Sequence, residues 1–268
     1  MCFVFQGRYT ITKVNKMARY KIDIEYDGTD LIGWQENQQG PSVQSLLQDA
    51  IYKFCSEKTE VYSAGRTDAG VHAICMSAHF DLEKDTTPET IMRAMNFYLT
   101  NKPVAVLNCE KVDDDFHARF DCIKRCYKYI VLNRQSPVVL NKNRVWWVPQ
   151  YLDIDAIKNA AKLLVGKHDF TSFRAAQCQA KSPIKTLDVC NITKNGDEII
   201  FAFEARSFLH HQVRNMVGTL VEIGMGKDLD INKIFEEKNR SAAGINAPAC
   251  GLYFVRAIYA KGDDSESA

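Results

Sequence analysis

Residues 59–80, TEVYSAGRTDAGVHAICMSAHF, place two extended segments on either side of a glycine-bounded loop. In the second segment Ile74, Met76, Ala78 and Phe80 alternate with other residues, the period of a strand with one buried face. Upstream, Tyr20, Ile22, Ile24 and Tyr26 alternate in the same way in RYKIDIEYDG, giving a strand that ends at Gly28. Between these strands Val43, Leu46, Leu47, Ala50, Ile51 and Phe54 share one helical face, and Ser42 is placed to cap it. Downstream, Thr87 and Pro88 open a second helix with Ile91, Met95, Tyr98 and Leu99 apolar, followed by a strand through Val104 and Val106. The order is β-α-β-β-α-β.

The second half of the chain repeats that order. RCYKYIVLN, from Arg125, reads as a strand, and Asp153 or Asp155 opens a helix through Ile157, Ala160, Ala161 and Leu164 that stops at Gly166. Asn195-Gly196 joins two further strands as a hairpin. Leu209, Val213, Met216, Val217, Leu220 and Val221 predict an amphipathic helix, a shorter helix follows near Ile231 and Phe235, and GLYFVRAIY is a last strand. The expected fold is α+β: two similar split-βαβ (ferredoxin-like) halves with joined antiparallel sheets and a central cleft. The divisions are an N-terminal extension at 1–16, an α+β domain at 17–121, a second at 122–261, and a disordered tail at 262–268.

Composition narrows the class without naming a function. Apolar residues make up 46% and charged residues 25%, as in an ordinary globular protein, and 34 basic against 33 acidic residues leave a net charge of +1. A basic surface must therefore come from segregation of charge. The nine cysteines form neither a CxxC pair nor a zinc-type Cys/His spacing, which predicts buried thiols in a reducing cytoplasm. No apolar run reaches the roughly 20 residues of a membrane-spanning helix, and the start is too short in apolar residues for a secretory signal. The expected location is the cytoplasm.

The loop RTDAG carries Arg66 and Asp68 between Gly65 and Gly70. Taken alone, it reads better as a tight turn with a solvated arginine than as a site, and it lacks the Gly-Lys-Ser/Thr ending of a phosphate loop. Arg214 lies on a helix with Gly218 four residues on, where a glycine lets another backbone approach; without further context it is a surface charge paired with Glu222 or Asp228. His210 and His211, as helix neighbours, point to different faces and leave no third metal ligand evident. Tyr127 and Tyr129 fall on one face of their strand, as core or interface tyrosines do.

Gly65-Arg66-Thr67-Asp68-Ala69-Gly70-Val71-His72-Ala73 resembles the signature of the TruA family of tRNA pseudouridine synthases. The resemblance continues in family order through Tyr26-Asp27-Gly28-Thr29 with Gly33-Trp34-Gln35, Phe116-His117-Ala118-Arg119-Phe120, Arg125-Cys126-Tyr127-Lys128-Tyr129, Asp169 to Arg174 and Phe208 to Asn215. Cys126 stands where the family more often has arginine. The resemblance implies an isomerase that converts uridine to pseudouridine at positions 38, 39 and 40 in the anticodon arm of tRNA. It also implies a homodimer. The N1–C1′ bond breaks and a C5–C1′ bond forms with no change of formula, so neither cofactor nor metal is expected. Asp68 is then the group that attacks C1′ or acts as base at C2′, and Arg214 supports its charged form. Tyr127 stacks on the extruded uracil, Arg66 fills the gap or holds a phosphate, Leu252 forms an apolar wall, and His210 and His211 pack or touch RNA.

Arg93, Lys102, Lys124, Arg125, Lys128, Arg134, Lys142, Arg144, Arg174, Lys181, Lys185, Arg206 and Arg214 outnumber nearby acids and are the expected phosphate contacts. Two other classes compete with the isomerase reading. An RNA-binding module of split-βαβ units lacks its aromatic RNP1 strand here. A metal-assisted hydrolase would draw on Asp68, His72, His210 and His211.

Overall fold

The structure, a computed structural model, describes residues 17–260; the extension at 1–16 and the tail at 262–268 lie outside the described residues. Strand β1 (Ala18–Tyr26) buries Tyr20, Ile22, Ile24 and Tyr26 and turns Arg19, Lys21, Asp23 and Glu25 to the opposite face, as its alternation dictates. Helix α1 (Val43–Cys55) starts at Ser42, whose hydroxyl accepts the Ser45 N–H while the Ser45 hydroxyl accepts the Ser42 N–H. This reciprocal cap satisfies two otherwise orphaned donors. Strand β2 (Tyr62–Ser63) is only two residues long, and β3 (His72–Leu82) follows the loop. Helix α2 (Pro88–Tyr98) is capped by Thr87 with Pro88 in its first turn, and β4 (Val104–Val112) completes the first series.

The second series is β5 (Cys122–Leu132), α3 (Ile154–Leu164) capped by Asp153, β8 (Ile184–Asn195), β9 (Glu198–Ala205), α4 (Gln212–Gly224), α5 (Ile231–Glu237) and β10 (Leu252–Tyr259). Two short strands that the sequence pattern does not announce, β6 (Trp146–Trp147) and β7 (Gly166–Asp169), are set between them. The hairpin after β8 closes as Asn195-Gly196 predicts, with Asn195 paired to Glu198 and Gly196 at φ +58°.

The described strands form one sheet, in the order β4-β1-β3-β10-β5-β9-β8-β7, with β2 on β3 and β6 on β5. Its pairs are antiparallel except β10 with β3 and β6 with β5. One edge of β3 is taken by β1, and the other is shared. There β2 pairs with Ala78 and His79 while β10 pairs with His72 and Ala73. The entering β10 therefore takes the place that a longer β2 would fill, and residues 65–71 leave the sheet. β10 also feeds both hydrophobic cores. Leu252 joins Tyr129, Phe201, Phe203, Met216 and Leu220, whereas Phe254 and Ala257 join Tyr20, Ile24, Leu47, Met76 and Phe80. Each fully buried side chain of this size contributes about 1.5–3 kcal/mol, so the seam between the two series is itself packed core.

Three expectations are corrected. Helix α4 begins at Gln212, so Leu209 precedes it, and it is buried nearly all round rather than on one stripe. Its polar side is covered by residues 240–247: Asn215 Oδ1 accepts from Arg240 at 2.9 Å, Thr219 Oγ1 accepts the Gly244 N–H at 2.9 Å, and Glu222 accepts the Ile245 N–H at 3.3 Å. A Cβ on Gly218 would lie 1.8 Å from the Ile245 carbonyl, so only glycine admits that segment. Of the described cysteines, all free thiols, Cys122 and Cys126 are buried and the others only half-buried.

Candidate active site

The 64–71 connection is held by contacts outside any strand ladder. The Trp34 N–H donates to the Thr67 carbonyl at 3.0 Å, the Tyr26 hydroxyl and Thr67 Oγ1 are 2.8 Å apart, and the Val71 N–H closes back on the Asp68 carbonyl at 3.2 Å. Gly33, at φ +101°, brings its backbone so near that a Cβ would lie 2.5 Å from the Thr67 carbonyl oxygen. This backing aims Asp68 into a cleft of about 750 Å³ between the two series of elements, a volume typical of small-molecule and cofactor sites.

Three side-chain nitrogens converge on the Asp68 carboxylate. Arg214 Nη1 is 3.0 Å from Oδ2, His210 Nε2 is 3.1 Å from Oδ1, and His211 Nε2 is 3.2 Å from Oδ2. Arg214 leaves the first turn of α4 and is aimed by the Ala247 carbonyl, which accepts from its Nε at 2.8 Å; the Ala247 N–H returns to the Arg214 carbonyl at 3.2 Å. It pairs with neither Glu222 nor Asp228. The Asp68–Arg214 pair is mostly shielded, with side chains 24% and 13% exposed.

His210 and His211 converge rather than diverge, which corrects the helix-neighbour reading. Both precede the helix, and His211 adopts a left-handed backbone at φ +64° as its N-cap. The ring centroids are 4.0 Å apart. Burial holds the His211 imidazole below its ordinary pKa, with Asp68 pulling the other way. Asn246 Nδ2 donates to His211 Nδ1 at 3.3 Å, so the ring presents its Nε2–H to Asp68.

Tyr127 stands against the same cleft, its ring set edge-on to Phe208 and Phe254 with centroids 5.1 Å from each. Burial raises its phenol well above the ordinary value, and the Asp68 charge adds to that, so the hydroxyl keeps its proton at neutral pH. Leu252 is buried in the cleft wall, and Arg66 lies exposed at its rim. The geometry thus brings Asp68, Tyr127, Arg214, Arg66, Leu252, His210 and His211 to one cleft.

His72 is not among them. It faces away, accepting the Gly28 N–H at 3.0 Å, bonding the Asn143 carbonyl at 2.9 Å and stacking on Tyr253, so the four-residue set of the hydrolase reading does not assemble. Arg125 also departs from expectation. It is buried and donates to the carbonyls of Ala64 at 2.9 Å and Arg119 at 2.6 Å, and to those of Cys122 and Arg206, so it ties loop ends together beneath the cleft instead of meeting phosphate. At the surface Arg144 pairs with Asp27, Lys124 with Glu204 and Arg134 with Asp197. Phe208 and Asn246 were not singled out from the sequence; Phe208 lies within a motif stretch, whereas Asn246 carries no local signal.

A family model described as tRNA pseudouridine synthase matches residues 23–121 and 160–260. The chain belongs to this family. Curated relatives named tRNA pseudouridine synthase A agree: one from Rhodospirillum centenum is 52% identical over 91% of this chain and 100% of its own length. Others from Paramagnetospirillum magneticum and Zymomonas mobilis are 49% and 47% identical over the same share of this chain and 96% and 100% of theirs. The family's motif stretches acquire physical jobs here. Gly33-Trp34 backs the Asp68 loop, the 116–120 turn offers the Arg119 carbonyl to Arg125, and the Phe173 carbonyl accepts from Asn215, next to Arg214.

Proposed function

We propose that this chain isomerises uridine to pseudouridine at positions 38, 39 and 40 in the anticodon stem-loop of tRNA, with Asp68 as the attacking group. The observation that carries the reading is the convergence of Asp68 and Arg214, 146 residues apart, in a cleft walled by Tyr127 and Leu252. An extruded uridine enters the cleft, and the Tyr127 ring and Leu252 hold its base. Asp68 attacks C1′ or takes a proton at C2′ as the N1–C1′ bond breaks. The detached uracil turns and C5 bonds to C1′ as the Asp68–C1′ bond breaks or the C2′ proton returns from Asp68; C5 then gives up its proton to solvent and N1 takes one up. Arg214 holds the carboxylate in place throughout. Arg66 at the rim takes a phosphate or the space vacated by the base, and His210 and His211 face the RNA. The formula is unchanged across the reaction, so the chemistry calls for no redox or energy-donating cofactor.

The same reading includes a cytoplasmic homodimer. It takes the chain as two related split-βαβ domains, at 17–121 and 122–261. Support for the latter comes from the matching strand orders, β4-β1-β3-β2 and β10-β5-β9-β8, each antiparallel. Among the described residues no helix is long and apolar enough to cross a membrane.

Tritium release from tRNA carrying 5-³H-uridine tests the reaction. Wild-type protein is expected to release tritium without added cofactor, and Asp68→Asn to lose at least about 10²–10⁴-fold in rate, the range of a lost catalytic proton-transfer group, while still binding tRNA. No release by the wild type sinks the isomerase reading and favours an RNA-binding module.

A further inference from the structure

We propose that Asp68, His210 and His211 form a reversible binding site for a zinc-class divalent ion, and that occupancy of this site switches the chain off. One donor atom from each residue lies within 4.8 Å of the other two. His210 Nε2 lies 3.1 Å from Oδ1 and His211 Nε2 3.2 Å from Oδ2, each near the ~3.3 Å edge of a tetrahedron whose metal bonds are about 2.0–2.1 Å, and a turn of the carboxylate brings one oxygen towards both nitrogens. Rotation of the imidazoles and the carboxylate then replaces the His210 hydrogen bond and the His211 ion-pair contact to Asp68 by bonds to one ion. Two imidazoles and a carboxylate select zinc, cobalt, nickel or copper over magnesium and calcium, which prefer oxygen ligands. The fourth position opens to the cleft and takes water.

The supporting atoms are in place. The His211 ring already stands beside Asp68, with its Nδ1 held by the Asn246 amide, so it does not have to be recruited. When Nε2 binds metal the ring proton moves to Nδ1, where the Asn246 amide, turned over, accepts it in place of its present donation at 3.3 Å. Arg214, 3.0 Å from Oδ2, sets the strength. Its positive charge opposes a second cation, so the site binds more weakly than a structural zinc centre and releases its ion as free metal falls. Occupancy takes the Asp68 lone pairs that the proposed isomerisation needs. The inhibition thus rests on the catalytic reading of Asp68, while the site itself does not.

Cobalt(II), which takes the same geometry as zinc and absorbs visibly when so bound, is titrated into the full chain before any tRNA is present. One equivalent is expected to give visible d–d bands without the near-ultraviolet thiolate band that a cysteine site produces. Asp68→Asn and the double substitution His210→Gln/His211→Gln, each checked for native thermal unfolding, are expected to lose those bands. Zinc is expected to displace cobalt and stop tritium release, chelator to restore it, and magnesium to do neither. Bands that persist in either folded variant, that carry thiolate transitions, or that never form on the wild type overturn the proposal. Full release with the site occupied by zinc overturns the inhibition. Cobalt bands on a protein that releases no tritium even when metal-free leave the site standing and reject the isomerase reading instead.

Discussion

The connection from β2 to β3 and the connection from β8 to β9 hold the same place in two matching strand orders, yet they are built oppositely. β8 runs for 12 residues and turns tightly at Gly196, with the ladder closed up to Asn195 and Glu198. β2 stops after two residues, the Ala64 N–H makes one last bond to the Ser77 carbonyl of β3, and residues 65–71 leave the sheet. The tight hairpin spends its backbone groups on pairing and offers no cleft a side chain. The open one gives up pairing along β3 and carries Asp68, with Trp34, Tyr26 and Gly33 supplying the restraint that the ladder no longer does. A reactive group needs both exposure to a cleft and a fixed aim, and an opened hairpin backed by a neighbouring loop provides the two together.

The sharpest way to break this comparison is Gly33→Val. A Cβ there meets the Thr67 carbonyl at 2.5 Å, and the φ of +101° disfavours any side chain. Expected are a stability loss of about 1–3 kcal/mol by urea unfolding and, from displacement of Asp68, a roughly 100-fold fall in tritium release. An unchanged rate would mean that the loop keeps its aim without this backing.

Acid should separate the two hairpins next. His79 on β3 is 2% exposed and stacks on Tyr62 of the short β2. Burial, reinforced by His117 and Arg19, lowers its pKa from 6.5 to about 4. Between those values the unfolded chain binds the proton and the folded chain does not. Stability is therefore fully present above about pH 6.5 and falls as pH drops towards 4, by a few kcal/mol on the order of 1.4 per unit. Amide protection factors, corrected for the slower intrinsic exchange in acid, are expected to fall in β3 before β9, whose buried residues Ile199, Phe201 and Phe203 do not titrate. His79→Gln should flatten the dependence; a slope that survives this change assigns it to another group.

Gly196→Ala is the smallest of these effects. At φ +58° with nothing within 4 Å, an added methyl costs only backbone strain, about 1 kcal/mol, and tritium release should not change. A fall in rate would mean that the tight hairpin also reaches the site.

Much of the architecture was legible because its signals are local. Alternation marked β1, Ser42 and Thr87 marked the starts of α1 and α2, Asp153 or Asp155 that of α3, where the structure has Asp153, and Asn195-Gly196 marked the tight hairpin. Each depends on residues a few positions apart, where hydrogen bonding and side-chain period act directly on the backbone. Asp68, Tyr127 and Arg214 were found through motif resemblance; RTDAG alone reads as an ordinary turn.

What only the tertiary structure decided lies across the seam. The insertion of β10 between β3 and β5, the burial of Arg125 under four carbonyls, the covering of α4 by residues 240–247 and the meeting of both histidines with Asp68 all join segments far apart in the chain. Asp68 is 142 residues from His210 and 146 from Arg214. Such contacts arise when distant segments bury apolar surface together and then must satisfy the polar groups trapped between them. Local pattern specifies the pieces that pack, and the packing specifies which polar side chains face one another.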